Sequence, residues 1–256
     1  TTLFRSDLLD LGINRLSIGT QSFQNKHLKR MNRRHNAAQS AGAVNNALKA
    51  GFNNISVDLI FGLPELTLQE WTDSLNLVFQ LPVNHLSAYH LTYHEGTTFY
   101  KWLKKGTLKE LPENESISQF RMLMEKAKEA GFEQYEISNF ARDGMVSRHN
   151  TAYWNGANYL GLGPSAHSYN QSSRRWNIAS LDAYMQGIQT NSPFYVVEDL
   201  TESDKYNEYI LTRLRTKWGI STDAISRLFG EEKVKYFLEV IQKHIDSEKV
   251  ILKNGV

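Results

Sequence analysis

Ser56-Val57-Asp58-Leu59-Ile60-Phe61-Gly62-Leu63-Pro64 is the stretch on which the fold turns. A β-branched, apolar run ends abruptly in Gly and Pro. That is how a buried parallel strand reads where its carboxyl end opens into a ligand loop. Asp58 interrupts the run. A carboxylate inside a buried strand is costly unless it is paired, either with an internal Arg or Lys or with a ligand hydroxyl or amide. The same pattern recurs upstream in Arg15-Leu16-Ser17-Ile18-Gly19-Thr20-Gln21-Ser22-Phe23, where Arg15–Gly19 reads as a strand. It recurs downstream in Leu86–Leu91, which gives way to a polar loop containing Glu95, Gly96 and Thr97.

Helical patterns lie between these strands. Ala38–Lys49 carries small residues on one face, with Gly51 as the expected left-handed residue after its end. Thr67-Leu68-Gln69-Glu70 reads as a capping box opening a helix that runs to about Leu81. Repeated strand–helix units of this length imply a parallel sheet with right-handed crossovers, hence α/β architecture. In such sheets ligands sit at the carboxyl ends of the strands.

Further along, Glu113–Ala130 reads as a helix closed by Gly131, and Gln134–Ile137 as a short strand. Residues 138–178 read as one long loop rich in Gly and aromatics, and a loop of that length is usually functional. After about 195 the texture changes. Helices are predicted over Ser203–Lys217, Thr222–Phe229 and Glu231–Ser247, and a strand over Val250–Leu252, which together resemble a winged-helix module. The predicted domains are therefore 1–195 and 196–256.

Composition narrows the function classes. Hydrophobic residues make up 41% and charged residues 22%, ordinary values for a globular chain. The net charge of +2 gives no electrostatic reason to expect nucleic acid or an anionic membrane surface. No apolar run approaches the roughly 18 residues of a transmembrane helix. No basic-then-apolar leader opens the sequence, so the expected location is the cytoplasm. The absence of Cys excludes disulfides and thiolate metal sites. No Gly-x-x-x-x-Gly-Lys-Ser/Thr or Gly-x-Ser-x-Gly motif occurs, which disfavours nucleotide hydrolysis and serine-type chemistry, and there is no His-Glu-x-x-His. Both ends read as interior sequence. Leu3 to Leu11 looks like the tail of a helix feeding the first strand, and Asn254-Gly255 like a hairpin turn awaiting its return strand. A longer parent is expected.

The order and spacing of the motifs resemble the coproporphyrinogen III oxidase-like branch of the radical S-adenosylmethionine (SAM) enzymes, and within it the HemW-type haem chaperones. The resemblance is carried by Gly19-x-Gln21-Ser22-Phe23, Asp58–Pro64, Leu86-Ser87-Ala88-Tyr89 and Glu95-Gly96-Thr97. It continues through Tyr135-Glu136-Ile137-Ser138-Asn139-Phe140-Ala141, His149-Asn150-x-x-Tyr153-Trp154 and Tyr159–Ser168. It implies a partial (β/α)6 barrel that lacks its first strands, followed by a helical C-terminal domain. It also implies SAM and a 4Fe-4S cluster in the full-length parent, although the cluster's three cysteines have no counterpart here.

The resemblance distributes roles as follows. Gln21, at the tip of its strand, corresponds to a residue that hydrogen-bonds SAM; an amide offers both a donor and an acceptor. Arg33 corresponds to a contact with the SAM carboxylate, which a planar guanidinium binds bidentately, although Arg30 and Arg34 beside it also read as a solvated basic patch. Asp58 falls in the SAM ribose region, with a structural salt bridge as the competing role. Thr92 makes mostly backbone contact, and His167 lies near adenine. His149 is the candidate axial ligand to haem iron, and Asn150, Tyr153 and Trp154 would complete the haem-binding element.

Three functions are weighed on this basis. The first is a haem chaperone that binds haem or porphyrin and passes it to a haem-accepting protein. The second is an oxygen-independent coproporphyrinogen III oxidase that decarboxylates propionates by a radical. The third is a partner-binding α/β domain. No catalytic residue is assigned, and the chain by itself is expected to be inactive. An exposed edge at Arg15–Gly19 suggests a homodimer.

Overall fold

The computed structural model describes residues 7–253, which form two compact units, 7–147 and 148–253. The boundary expected near residue 195 falls at the first residue of a strand inside the second unit.

The first unit is built on a five-stranded sheet in the order β1-β2-β3-β5-β4. The strands are β1 (Arg15–Gln21), β2 (Asn54–Phe61), β3 (His85–His90), β4 (Glu133–Glu136) and β5 (Asn139–Ala141). β1 pairs with β2 and β2 with β3 in parallel, as the strand–helix alternation predicts. Helices Ala37–Lys49 and Leu68–Gln80 make the two crossovers. Thr67 and Glu70 form the expected capping box. Gly51 has φ 102°, consistent with its place just past the end of the first crossover helix. Of the helix expected over Leu3–Leu11, residues 7–10 are helical and Leu3 lies outside the described residues.

The last two strands depart from the parallel pattern. β4 and β5 are joined by only Ile137 and Ser138, too short for a crossover, so they pair antiparallel, and β5 rather than β4 lies against β3. The sheet of the described residues is open, with β1 and β4 at its edges, and is not a closed barrel. A helix at Thr98–Lys104, capped by Thr97, follows the β3 loop and was not anticipated.

Alternation along each strand decides the layers. Ile55, Val57, Leu59 and Phe61 of β2 pack with Val44, Trp71, Leu75 and Leu123 in one continuous core. Each such side chain contributes about 1.5–3 kcal/mol on burial. The opposite face of the sheet is polar. There Ser56 Oγ lies 2.8 Å from His85 Nδ1, and His85 Nε2 lies 2.7 Å from the Tyr135 hydroxyl. Burial lowers the His85 pKa to about 3, with Arg15's charge acting in the same direction, so the imidazole is neutral.

The second unit holds a three-stranded antiparallel sheet of β6 (His167–Tyr169), β7 (Ser173–Asn177) and β8 (Tyr195–Asp199). The segment expected to be a long loop thus contains β5, β6, β7 and the helix Arg148–Trp154. Their shortness hid them, because three to seven residues carry little periodicity. A helix at Leu181–Thr190 and strand β8 follow. Helices Glu202–Leu214, Thr222–Phe229 and Glu231–Asp246 match the three expected. They enclose a core of Tyr206, Ile220, Ile225 and Phe237. Val250–Leu252 is not a strand, so no wing is formed by the described residues, and the Asn254-Gly255 turn lies outside them.

Candidate functional site

Gln21 ends β1 and Thr92 follows the end of β3, whereas Asp58 lies inside β2, one residue before Leu59, the register partner of Gln21. β1 ends in a bulge: Ile18 pairs with Val57 and Gln21 with Leu59, which leaves one extra residue in β1. The Ser22 N–H donates to the Thr20 carbonyl at 2.8 Å, closing a three-residue turn around Gln21, whose φ is 67°. A non-glycine residue in that region costs about 1–3 kcal/mol, and such strain clusters at ligand sites. A Cβ on Gly19 would come within 2.8 Å of Gln21 Nε2, so the Gln21 amide folds back over Gly19.

Asp58 is half-buried, and Ser17 Oγ donates to its two oxygens at 3.1 and 3.2 Å. Among the described residues it is in no ion pair, so none of them supplies the salt bridge weighed from sequence. Arg15 is near enough to sense it: burial lowers the Arg15 pKa, while Tyr135 and Asp58 act in the opposite direction.

Arg33 is exposed on the loop after helix Asn25–Arg30. Two residues on, His35 Nε2 lies 3.1 Å from the Thr20 carbonyl, which ties this loop to the carboxyl end of β1. Arg30 is committed elsewhere, donating to the Pro64 carbonyl at 3.3 Å and to Glu65 at 3.0 Å. The basic patch therefore separates into a structural Arg30 and an available Arg33. Thr92 is exposed just past β3. Beside it, the Tyr93 hydroxyl is buried without a partner; burial and the charge of Glu110 push its pKa up to about 12, which keeps it a neutral donor. Sequence reasoning missed Tyr93 and His35, for which an aromatic or imidazole beside a strand end was the available signal.

In the second unit, His149, Asn150, Tyr153 and Trp154 lie on the helix Arg148–Trp154. His149 is exposed, and its ring meets Tyr153 edge-on at 4.9 Å, as residues four apart on a helix can. The aromatic chain continues from Tyr153 to Tyr159 at 4.8 Å and to Tyr169 at 5.9 Å. Burial pushes the pKa values of Tyr159 and Tyr169 up, so both stay neutral. Tyr153 and Trp154 line a cavity of about 840 Å³, whose wall also includes Tyr209, Arg213 and Phe229. His149 and Asn150 do not line it. The sequence marked Tyr209, Arg213 and Phe229 only as helical positions, although Tyr209 and Arg213 share the four-residue spacing of one helix face. His167 opens β6 with its ring stacked on Trp176 at 6.3 Å, and it belongs to the second unit.

The donors present bear on the implied cofactors. An amide and a carboxylate at neighbouring positions of β1 and β2, with a guanidinium on the loop that His35 ties to the end of β1, are donor and acceptor types that fit a ligand with hydroxyls and a carboxylate, as SAM has. An iron–sulfur cluster held by thiolates does not fit: the chain has no Cys, and the described residues contain no group of three or more His, Asp or Glu placed for a metal ion.

Residues 6–78 match the family described as the Radical SAM superfamily. The chain is 33% identical over 249 residues to "Heme chaperone HemW" of Bacillus subtilis (strain 168), covering 97% of this chain and 65% of that relative. It is 38% identical over 181 residues to the protein of the same name in Synechocystis sp., covering 71% of this chain and 44% of that one. It is 36% identical over 156 residues to "Radical S-adenosyl methionine domain-containing protein 1, mitochondrial" of Danio rerio, covering 61% of this chain and 35% of that one. The chain thus spans less than two thirds of the length of these relatives. The fold superposes on coproporphyrinogen III oxidase (HemN) from Escherichia coli with a TM-score of 0.79 at 19% identity, covering 96% of this chain and 60% of that one. With the motif order, the strand-end geometry and these matches together, the chain belongs to the radical SAM superfamily, among its HemW/HemN-like members.

Proposed function

We propose that this chain is the part of a HemW-type haem chaperone that binds haem in its second unit, for delivery to a haem-accepting protein, and that contributes strand-end residues to a SAM site in its first. The observation that carries the reading is the exposed His149 imidazole set edge-on to Tyr153 at 4.9 Å. Imidazole is a standard axial ligand of haem iron, and an adjoining phenol ring can rest against the porphyrin. Relatives named as haem chaperones support it.

For SAM, Asp58 accepts from the ribose hydroxyls, the Gln21 amide bonds the same ligand, and Arg33 takes the carboxylate. Thr92 contributes backbone, and His167 lies near adenine. The strain at Gln21 and the absence, among the described residues, of an ionic partner for Asp58 support this assignment, because both are costs that a ligand offsets.

Absorbance titration with haem tests the first part. The expected result is a Soret shift that saturates, with affinity about tenfold weaker in His149→Ala, the scale of one lost polar interaction of about 1.4 kcal/mol. An unchanged titration would place the iron ligand elsewhere.

A further inference from the structure

The cavity of the second unit has a composition that the His149 reading does not use. One part of its wall is Tyr153, Trp154 and Tyr159, and another is Tyr209 and Phe229. Leu211 and Leu228 also line it while remaining 64% and 55% exposed, so apolar side chains face solvent where a ligand would cover them. The volume of about 840 Å³ lies near the upper end of the range of roughly 300–1,000 Å³ for small-molecule sites. Aromatic walls on this scale suit a large flat ring system.

Charge adds a second constraint. Arg174 is paired with Glu208, and Lys205 with Glu202 at 2.8 Å. Arg213 instead donates to the neutral Asn155 Oδ1 at 3.1 Å and lies over the Tyr209 ring at 5.7 Å. Its positive charge therefore has no carboxylate partner among the described residues, and the lining carries a net positive charge. A cation among aromatic walls suits a flat ligand that bears carboxylates.

The third constraint is what the lining lacks. None of the lining residues is His, Cys or Met, so the walls hold neither an imidazole, a thiolate nor a thioether for iron.

We propose that this cavity binds the ring face and a carboxylate arm of a porphyrin-class ligand, with Arg213 holding the carboxylate and no bond to iron. For the ligand class the proposal rests on the haem reading above. It goes further in placing ring recognition on the C-terminal helices and in making it independent of the metal.

The test compares three probes on the same chain: haem, metal-free protoporphyrin IX and its dimethyl ester, followed by absorbance and by porphyrin fluorescence. Metal-free protoporphyrin is expected to bind measurably, weaker than haem by no more than the roughly tenfold that the His149–iron bond supplies, and the ester at least about tenfold more weakly than protoporphyrin, the scale of one charge-assisted hydrogen bond. Arg213→Glu should weaken protoporphyrin by tenfold or more, and Arg213→Lys should recover most of that loss. The ester should be nearly indifferent to both substitutions. The ester comparison on the unmodified chain decides the charge role even if Arg213→Glu fails to fold. Equal affinity for diacid and ester overturns the assignment of Arg213. Haem binding without protoporphyrin binding overturns the cavity proposal and leaves the His149 reading standing, whereas failure of all three probes removes both.

Discussion

Ser17 Oγ reaches both carboxylate oxygens of Asp58, at 3.1 and 3.2 Å, across the parallel pair β1–β2. Among the described residues this neutral hydroxyl stands where a strand carboxylate suggested a salt bridge, and it leaves Asp58 half-buried with capacity for further hydrogen bonds.

Asp58→Ala should therefore cost little stability, at most about 1 kcal/mol, since a hydrogen bond to a neutral hydroxyl is replaceable by water. Urea denaturation measures it. In the full-length parent the same substitution should weaken SAM by roughly 1.5–3 kcal/mol, read by calorimetry. A stability loss above about 3 kcal/mol would instead mark Asp58 as structural.

Gln119 is buried on helix Glu113–Glu129 and holds the loop after β2. Its side chain accepts from the Gly62 N–H at 2.9 Å and donates to the Leu66 carbonyl at 2.7 Å. Gln119→Leu orphans two buried backbone groups and should cost about 2–4 kcal/mol in chemical denaturation. A loss below about 1 kcal/mol would show that the loop finds other partners.

Gly62 has φ 69°, and a Cβ there would come within 2.4 Å of His90 Nε2. Gly62→Ala should lose about 1–2 kcal/mol from the backbone alone, plus the displacement of His90 from Ser116, its neighbour at 3.1 Å. The double variant with His90→Ala should recover the second part and not the first. Full recovery would mean that the backbone at position 62 is unstrained.

His85 gives the stability a pH dependence of defined sign. Its folded pKa of about 3 lies below its ordinary value near 6.5, so the unfolded state binds more protons at intermediate pH. The contribution is complete above pH 6.5 and falls away as the pH drops toward 3. Between pH 7 and pH 5 the loss should be about 2 kcal/mol. His27, also lowered chiefly by burial, contributes with the same sign. The diagnostic is accordingly the difference between the unmodified chain and His85→Gln, whose denaturation midpoint should vary less with pH. Parallel curves would mean that folding leaves the His85 pKa unchanged.

Anaerobic reconstitution with iron and sulfide should leave this chain without a stoichiometric cluster, because no thiolate is available. Iron retained after gel filtration would overturn that expectation.

The sequence alone determined the three parallel strands, their crossover helices and caps, and the family, because buried strands and capped helices have local periods and local chemistry. Helix Arg148–Trp154 and the strands β5 to β7 escaped it, since elements of three to seven residues are set by their neighbours rather than by their own pattern. Pairing was likewise a tertiary decision. Ser17 became the partner of Asp58 because the register of β1 on β2 brought its hydroxyl to that carboxylate, and no spacing in the chain encodes that. Tyr153, Trp154, Tyr209 and Arg213 became one cavity wall by the same route, since residues some fifty positions apart meet only once helices and sheet have packed.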